Sequence, residues 1–172
     1  MGIRYYAYAF DAEATERALA DPRSMVSDDP LADAWGLPHG FTVGTTDFQQ
    51  SVPQRDLLYL DKAWPLLQAL TAPGPGDSEA RPAHRMFEGR VTSTDTGWHA
   101  WVRALSPDEV VDIARDLAPI DSEQAAASLR AAARSGADPD AEAQYGAQHL
   151  GAASTFVSRL AAEGRGMVYM IG

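Results

Sequence analysis

Ile3-Arg-Tyr-Tyr-Ala-Tyr-Ala-Phe10 alternates Ile3, Tyr5, Ala7 and Ala9 with Arg4, Tyr6, Tyr8 and Phe10. Successive side chains of an extended chain point to opposite faces, and aromatic residues favour that conformation. Both sets are largely apolar or aromatic, so the segment predicts a strand covered on both faces. At the far end of the chain, Gly166-Met-Val-Tyr-Met-Ile171 is an apolar run of strand length and predicts a second, central strand.

Helical signals fill much of the sequence between them. Asp11 is placed to cap a short helix running to about Ala20, where Asp21-Pro22 stops it. Asp29-Pro30 predicts a brief helix over Leu31 to Trp35, ended by Gly36, and a short strand is expected at Phe41 to Val43. Leu60, Ala63, Trp64, Leu67, Leu70 and Thr71 follow helical spacing, with Asp61 as the expected cap and Pro65 in the first turn. Three prolines and two glycines between Thr71 and Pro82 read as an exposed loop, and Trp98 to Ala104 as a strand. Ser106-Pro-Asp-Glu109 carries a capping box, and Asp121 caps an alanine-rich helix ending near Ser135-Gly136. Asp138-Pro139 opens the last helix, with Tyr145, His149, Ala152, Ala153, Phe156 and Leu160 on its expected apolar face and Gly164 as its stop. The expectation is an α+β fold: one domain over residues 1–172, a mixed or antiparallel sheet packed against several helices.

Composition narrows the function classes. A net charge of -10 disfavours nucleic acid and anionic lipid, and nucleic-acid binding would need Arg81, Arg85, Arg90 and Arg103 to form a basic stripe against that background. No apolar run reaches the roughly 20 residues of a membrane span. The opening Met-Gly-Ile-Arg-Tyr-Tyr lacks a signal-peptide layout, and Tyr6 stands where myristoylation wants Ser or Thr, so the expected location is the cytoplasm. The chain has no cysteine, which removes disulfides and thiolate chemistry, and no asparagine. His39, His84, His99 and His149 are scattered without ligand spacing, so neither a metal nor another cofactor is expected. No nucleophile elbow, phosphate loop or dinucleotide fingerprint occurs.

Several motifs resemble the YfbM-like family of bacterial proteins of unknown function. They are the Met-Gly start leading into Tyr5-Tyr6, Tyr59-Leu-Asp-Lys-Ala-Trp64, Arg103-Ala-Leu-Ser-Pro-Asp-Glu-Val110, and Phe156, Arg159, Ala161, Ala162 and Gly164 before the closing strand. The proline-rich loop and Arg81-Pro-Ala-His-Arg-Met-Phe87 depart from the family's usual glycine-rich segment. The resemblance implies an α+β fold and no particular activity.

Two clusters are candidate binding groups. Asp61, Lys62 and Trp64 form the first, and Lys62 is the only lysine in a chain with thirteen arginines. A lysine ammonium is a compact donor suited to anchoring an anion or to acting as a base, and a guanidinium does not replace it there. The competing explanation is a codon bias toward arginine, with Asp61 capping the helix and the Lys62 stem lying on apolar surface. His99, Trp101 and Arg103 share one strand face, an arrangement that suits an anionic or aromatic ligand, or simply a packed face with polar tips. His84, Arg85 and Glu88 read as a solvated turn, and His149 as a core histidine.

The preferred reading is a non-catalytic binding or interaction protein that meets a protein partner through its acidic surface. The alternative is an enzyme or small-ligand binder with a pocket lined by Lys62, Trp64, His99, Trp101 and Arg103.

Overall fold

A computed structural model describes residues 2–36, 41–43, 46–48, 52–74, 76–132 and 138–172. Its centre is a four-stranded antiparallel sheet in the order β4-β1-β8-β7, built from β1 (Tyr5–Phe10), β4 (Leu57–Asp61), β7 (Trp101–Leu105) and β8 (Gly166–Ile171). Two small hairpins accompany it, β2 (Phe41–Val43) with β3 (Thr46–Phe48) and β5 (Thr92–Thr94) with β6 (Gly97–His99). The architecture is α+β, and the first and last strands occupy the middle of the sheet.

Alternation along β1 and β8 sorts the sheet into two unequal layers. Tyr5, Ala7, Met167, Tyr169 and Ile171 face the larger core, with Leu58 and Leu60 of β4. That face is covered by α3 (Trp64–Thr71), α4 (Pro107–Leu117), α5 (Ser122–Ala132) and α6 (Pro139–Glu163). Tyr6, Tyr8, Phe10, Val168 and Met170 face a smaller core. The cover there is thin: α1 (Thr15–Ala20), the 3-10 turn Pro22–Met25 and α2 (Pro30–Trp35). All six residues of β8 are buried, as a strand covered on both faces requires.

The caps are the ones the side-chain chemistry dictates. Asp29 accepts from the Ala32 amide, and Gly36 ends α2 with φ 63°, a left-handed conformation that glycine adopts without steric cost. Ser106 and Glu109 form a reciprocal capping box on α4. Asp121 accepts from the Gln124 amide, Asp138 from the amides of Asp140 and Ala141, and Gly164 closes α6. Asp33 is fully buried and ties α2 to its surroundings, accepting from the Tyr8 hydroxyl at 3.3 Å and the Val52 amide at 3.3 Å.

Three expectations are corrected. Leu57–Asp61 is a strand, and α3 begins only at Trp64 after Ala63, so Asp61 does not cap it. The residues have helical spacing only because a strand and a helix abut with apolar residues on both. The buried face of α6 runs through Ala143, Gly146, Ala147, Leu150, Ala153, Phe156, Val157 and Leu160. Tyr145 and His149 flank it, and Ala152 is exposed. Asp11 makes no side-chain cap, because a 3-10 turn over Ala12–Ala14 precedes α1. The expected end of the alanine-rich helix near Ser135-Gly136 lies outside the described residues.

Two stacked tyrosines in the central strands hold the segment that returns from the proline-rich loop. The Tyr5 and Tyr169 rings lie 5.3 Å apart at 14°. The Tyr5 hydroxyl donates to the Met86 carbonyl at 2.8 Å, and that of Tyr169 approaches the carbonyls of Arg85 at 2.9 Å and Glu88 at 2.8 Å. Met86 and Phe87 are thereby fixed in the core with no exposed surface. Tyr5→Phe leaves a buried carbonyl without its donor and should cost about 1–3 kcal/mol in denaturant unfolding. Tyr169→Phe should cost a similar amount, since its single hydroxyl proton is shared between two carbonyls.

Candidate functional site

β4 carries one extra residue opposite β1. Tyr6 pairs with Tyr59 and Tyr5 with Asp61, so Leu60 has no partner of its own. Bulges of this kind kink a strand and re-aim a side chain. Asp61 sits at φ 45°, the left-handed region that aspartate tolerates better than most residues. Its carboxylate consequently collects donors from both layers. Arg4 Nε lies 2.9 Å from Oδ1, the Tyr59 hydroxyl 2.8 Å from the same oxygen, and the Tyr145 hydroxyl of α6 3.2 Å from Oδ2. The Tyr145 oxygen in turn accepts the Lys62 amide at 3.3 Å, while His149 Nδ1 lies 2.9 Å from the Tyr145 carbonyl.

Partial burial pushes the Asp61 carboxyl up, but hydrogen bonds from Tyr59, Arg4 and Tyr145 outweigh it and hold the group below its ordinary value of 3.8. A carboxylate stabilised as an anion by three donors is a weak base. The arrangement is an ionised hub that ties β1, β4 and α6 together.

The second feature is a cleft on the thinly covered face of the sheet. Ala100, Val102 and Met170 line it, together with Arg23 from the 3-10 turn and Trp98 and His99 from the β5-β6 hairpin, enclosing about 660 Å³. A smaller hollow of about 250 Å³ adjoins it, sharing Trp98, Met170 and Gly172 and extending past Gly2, Arg4, Tyr6 and Asp29. Trp98 is 49% exposed at the junction. The larger volume is within the roughly 300–1,000 Å³ typical of small-molecule sites.

The six sequence candidates fall into separate settings. Asp61 is the hub, and Trp64 packs against the larger core. The exposed Lys62 lays its stem along Gly2, with Cε 2.6 Å from where a Cβ on that glycine would stand. Gly2 also lines the smaller hollow, which brings the lysine to its margin. His99 lines the cleft. Trp101 instead crosses the backbone of Gly89, and Arg103 pairs with Glu88 and with Glu109 at 3.3 Å, on the Tyr169 side of the sheet. The three do not share a face because the strand is interrupted at Ala100, where the alternation restarts. Lys62 and His99 leave the sheet from its opposite edges.

Sequence reasoning missed Arg4, Tyr59 and Tyr145 as partners of Asp61, and Arg23, Trp98 and Met170 as cleft residues. Tyr59 carried a readable signal, since two residues apart on a strand means one face. Nothing local to Arg23 or Tyr145 announced their partners. Of the proposed basic stripe, Arg81 is paired with Asp116 at 2.8 Å and Arg103 with two glutamates. His84 lies 3.1 Å from the Thr71 hydroxyl, and its burial lowers its pKa against a hydrogen bond with the Gln68 backbone that raises it.

A four-stranded antiparallel sheet with a deep helical layer and a shallow one defines the class: an α+β protein without a helix, among the described residues, long and apolar enough to cross a membrane. The fold is similar to that of the protein of unknown function YfbM from Escherichia coli, whose crystal structure matches with a TM-score of 0.50 over 99% of this chain and 100% of that one, at 16% identity. No family model and no curated protein matches the sequence. The likeness is therefore one of fold.

Stabilisation from the ionised Asp61 is complete above its ordinary value of 3.8 and is lost as the pH falls through the lower value of the folded state. Asp61→Asn keeps the shape but not the charge. Its melting temperature should fall below that of the parent at pH 7, with the difference shrinking as pH drops below about 4. All six tyrosines are shifted upward, with burial the leading cause at each, and Tyr169 is pushed up to about 12. Stability that depends on neutral phenols is complete below pH 10.0 and lost as pH rises through the raised values. Absorbance titration should show less phenolate at pH 10 in the folded protein than in the denatured chain, and then a cooperative rise with unfolding.

Proposed function

We propose that the chain is a member of the YfbM-like family that acts as a single-domain, non-catalytic binding protein in the bacterial cytoplasm. The observation that carries this reading is the saturation of Asp61. The Asp61 carboxylate, on which three side chains converge, is held as an anion by Arg4, Tyr59 and Tyr145, which is the opposite of what a general base or acid requires. Arg103 and Arg81 are likewise committed to carboxylates. The charge of -10 favours a basic protein partner on the acidic surface, through steering that weakens with salt.

Tagged protein in a bacterial lysate at low salt should retain a partner in stoichiometric amount and release it as salt is raised, while the metabolites of the lysate stay unchanged. Conversion of any metabolite by substoichiometric protein, absent from a mock-purified control, would overturn the non-catalytic reading. A clean lysate with nothing retained would overturn the binding reading.

A further inference from the structure

We propose that the cleft between the Pro22–Met25 turn and the β5-β6 hairpin is a binding site for a small planar ring bearing an anionic group. The proposal rests on the binding-protein reading and gives it a second kind of ligand. Three observations meet at this one place.

The first is the state of Arg23. Arg4, Arg55, Arg81, Arg103, Arg115, Arg130, Arg159 and Arg165 are all in ion pairs. Arg23 forms none among the described residues; Arg17, Arg85 and Arg90 form none either, but of these four only Arg23 lines the cleft. Its Nη1 instead points at the Met170 thioether, 2.9 Å away, and a thioether is a weak acceptor. In a chain with 24 acidic residues against 14 basic ones, a guanidinium left over an apolar floor is available to an incoming anion.

The second is Trp98. Its indole stands half exposed on the same cleft, which Met170 and the alternating residues Ala100 and Val102 also line. A half-exposed indole offers a planar ligand one stacking surface. The third is charge placement. His99 lies on the same wall system as Arg23 and adds a second donor for the anionic end. No carboxylate side chain among the described residues lines this cleft, while Asp29 lines the smaller hollow, where Arg4 is already engaged with Asp61. The anionic end is thus directed toward Arg23 and the ring toward Trp98.

Nucleoside monophosphates and aromatic carboxylates both carry this chemistry, and the test separates them. The full chain is titrated calorimetrically at low salt with adenosine monophosphate and with indole carboxylate, beside the neutral adenosine and indole carboxamide, while the tryptophan indole signals are followed by NMR. Saturable binding of either anion, weaker for its neutral analogue and weakened about tenfold or more by Arg23→Gln and about fivefold or more by Trp98→Ala, is the expected result. The anion that binds identifies the source. Arg23, Trp98 and His99 are exposed, so the variants are expected to melt with the parent, and His99→Ala serves as a third if one does not. Absence of saturable binding by both anions overturns the site, as does equal binding of the neutral analogues or affinity indifferent to the substitutions. Turnover of a bound anion would instead overturn the non-catalytic reading and leave the site standing.

Discussion

The structure depends on the antiparallel pairing of β1 with β8. Their register runs without interruption from Tyr5 opposite Ile171 to Phe10 opposite Gly166, and both strands are covered above and below. Each remaining strand of the main sheet pairs with one of these two. Gly166 is itself part of the constraint: a Cβ there would stand 2.3 Å from Cζ of Phe10 and 2.8 Å from the Leu105 carbonyl oxygen, so three strands close together only where the side chain is absent. The tyrosine pair extends the order outward by anchoring the chain around Met86 through backbone carbonyls rather than through side-chain matching.

Asp61 plays a complementary part at the edge. An edge strand has one free side, and here its last residue is turned by the bulge so that one oxygen serves the thin layer and the other α6 of the thick layer. The rings of Tyr6 and Tyr59, stacked 5.2 Å apart, continue that contact into the smaller core. The same end of the sheet holds the cleft. Its openness follows from how little chain the thin layer contains: short helices and a 3-10 turn cannot shield a four-stranded face, and Trp98 leans over what they leave bare.

Much of the fold was legible because it rests on local rules. The alternation of β1, the apolar run of β8, the capping box at Ser106 and the proline-opened α2, α4 and α6 all express a few neighbouring residues. The helix with Asp61 as its cap was read to begin too early, because a strand and a helix with apolar residues satisfy the same spacing for a turn or two. The site was less legible. Lys62 drew notice through its rarity, but the convergent hydrogen bonds lie on its neighbour Asp61 and come from partners up to 84 residues distant. The interruption at Ala100, which separates His99 from Trp101 and Arg103, depends on β6 pairing with β5, a tertiary choice that periodicity does not record.

The exchange of hydrogen bonds between Arg4 and Gly172, both at 2.9 Å, joins positions that are almost the whole chain apart. A nascent polypeptide emerging from the ribosome meets β1 first and its central neighbour last. Until residues 166–171 are released, β1 has only β4 to pair with, and β7 has no partner in the main sheet. The helices can form as they appear, but the sheet closes only after synthesis has passed its last strand, so folding is governed by one late, long-range event. Arrest of translation before residue 166 would strand the aromatic face of β1 in water, with its unpaired edge open to whatever else can add a strand.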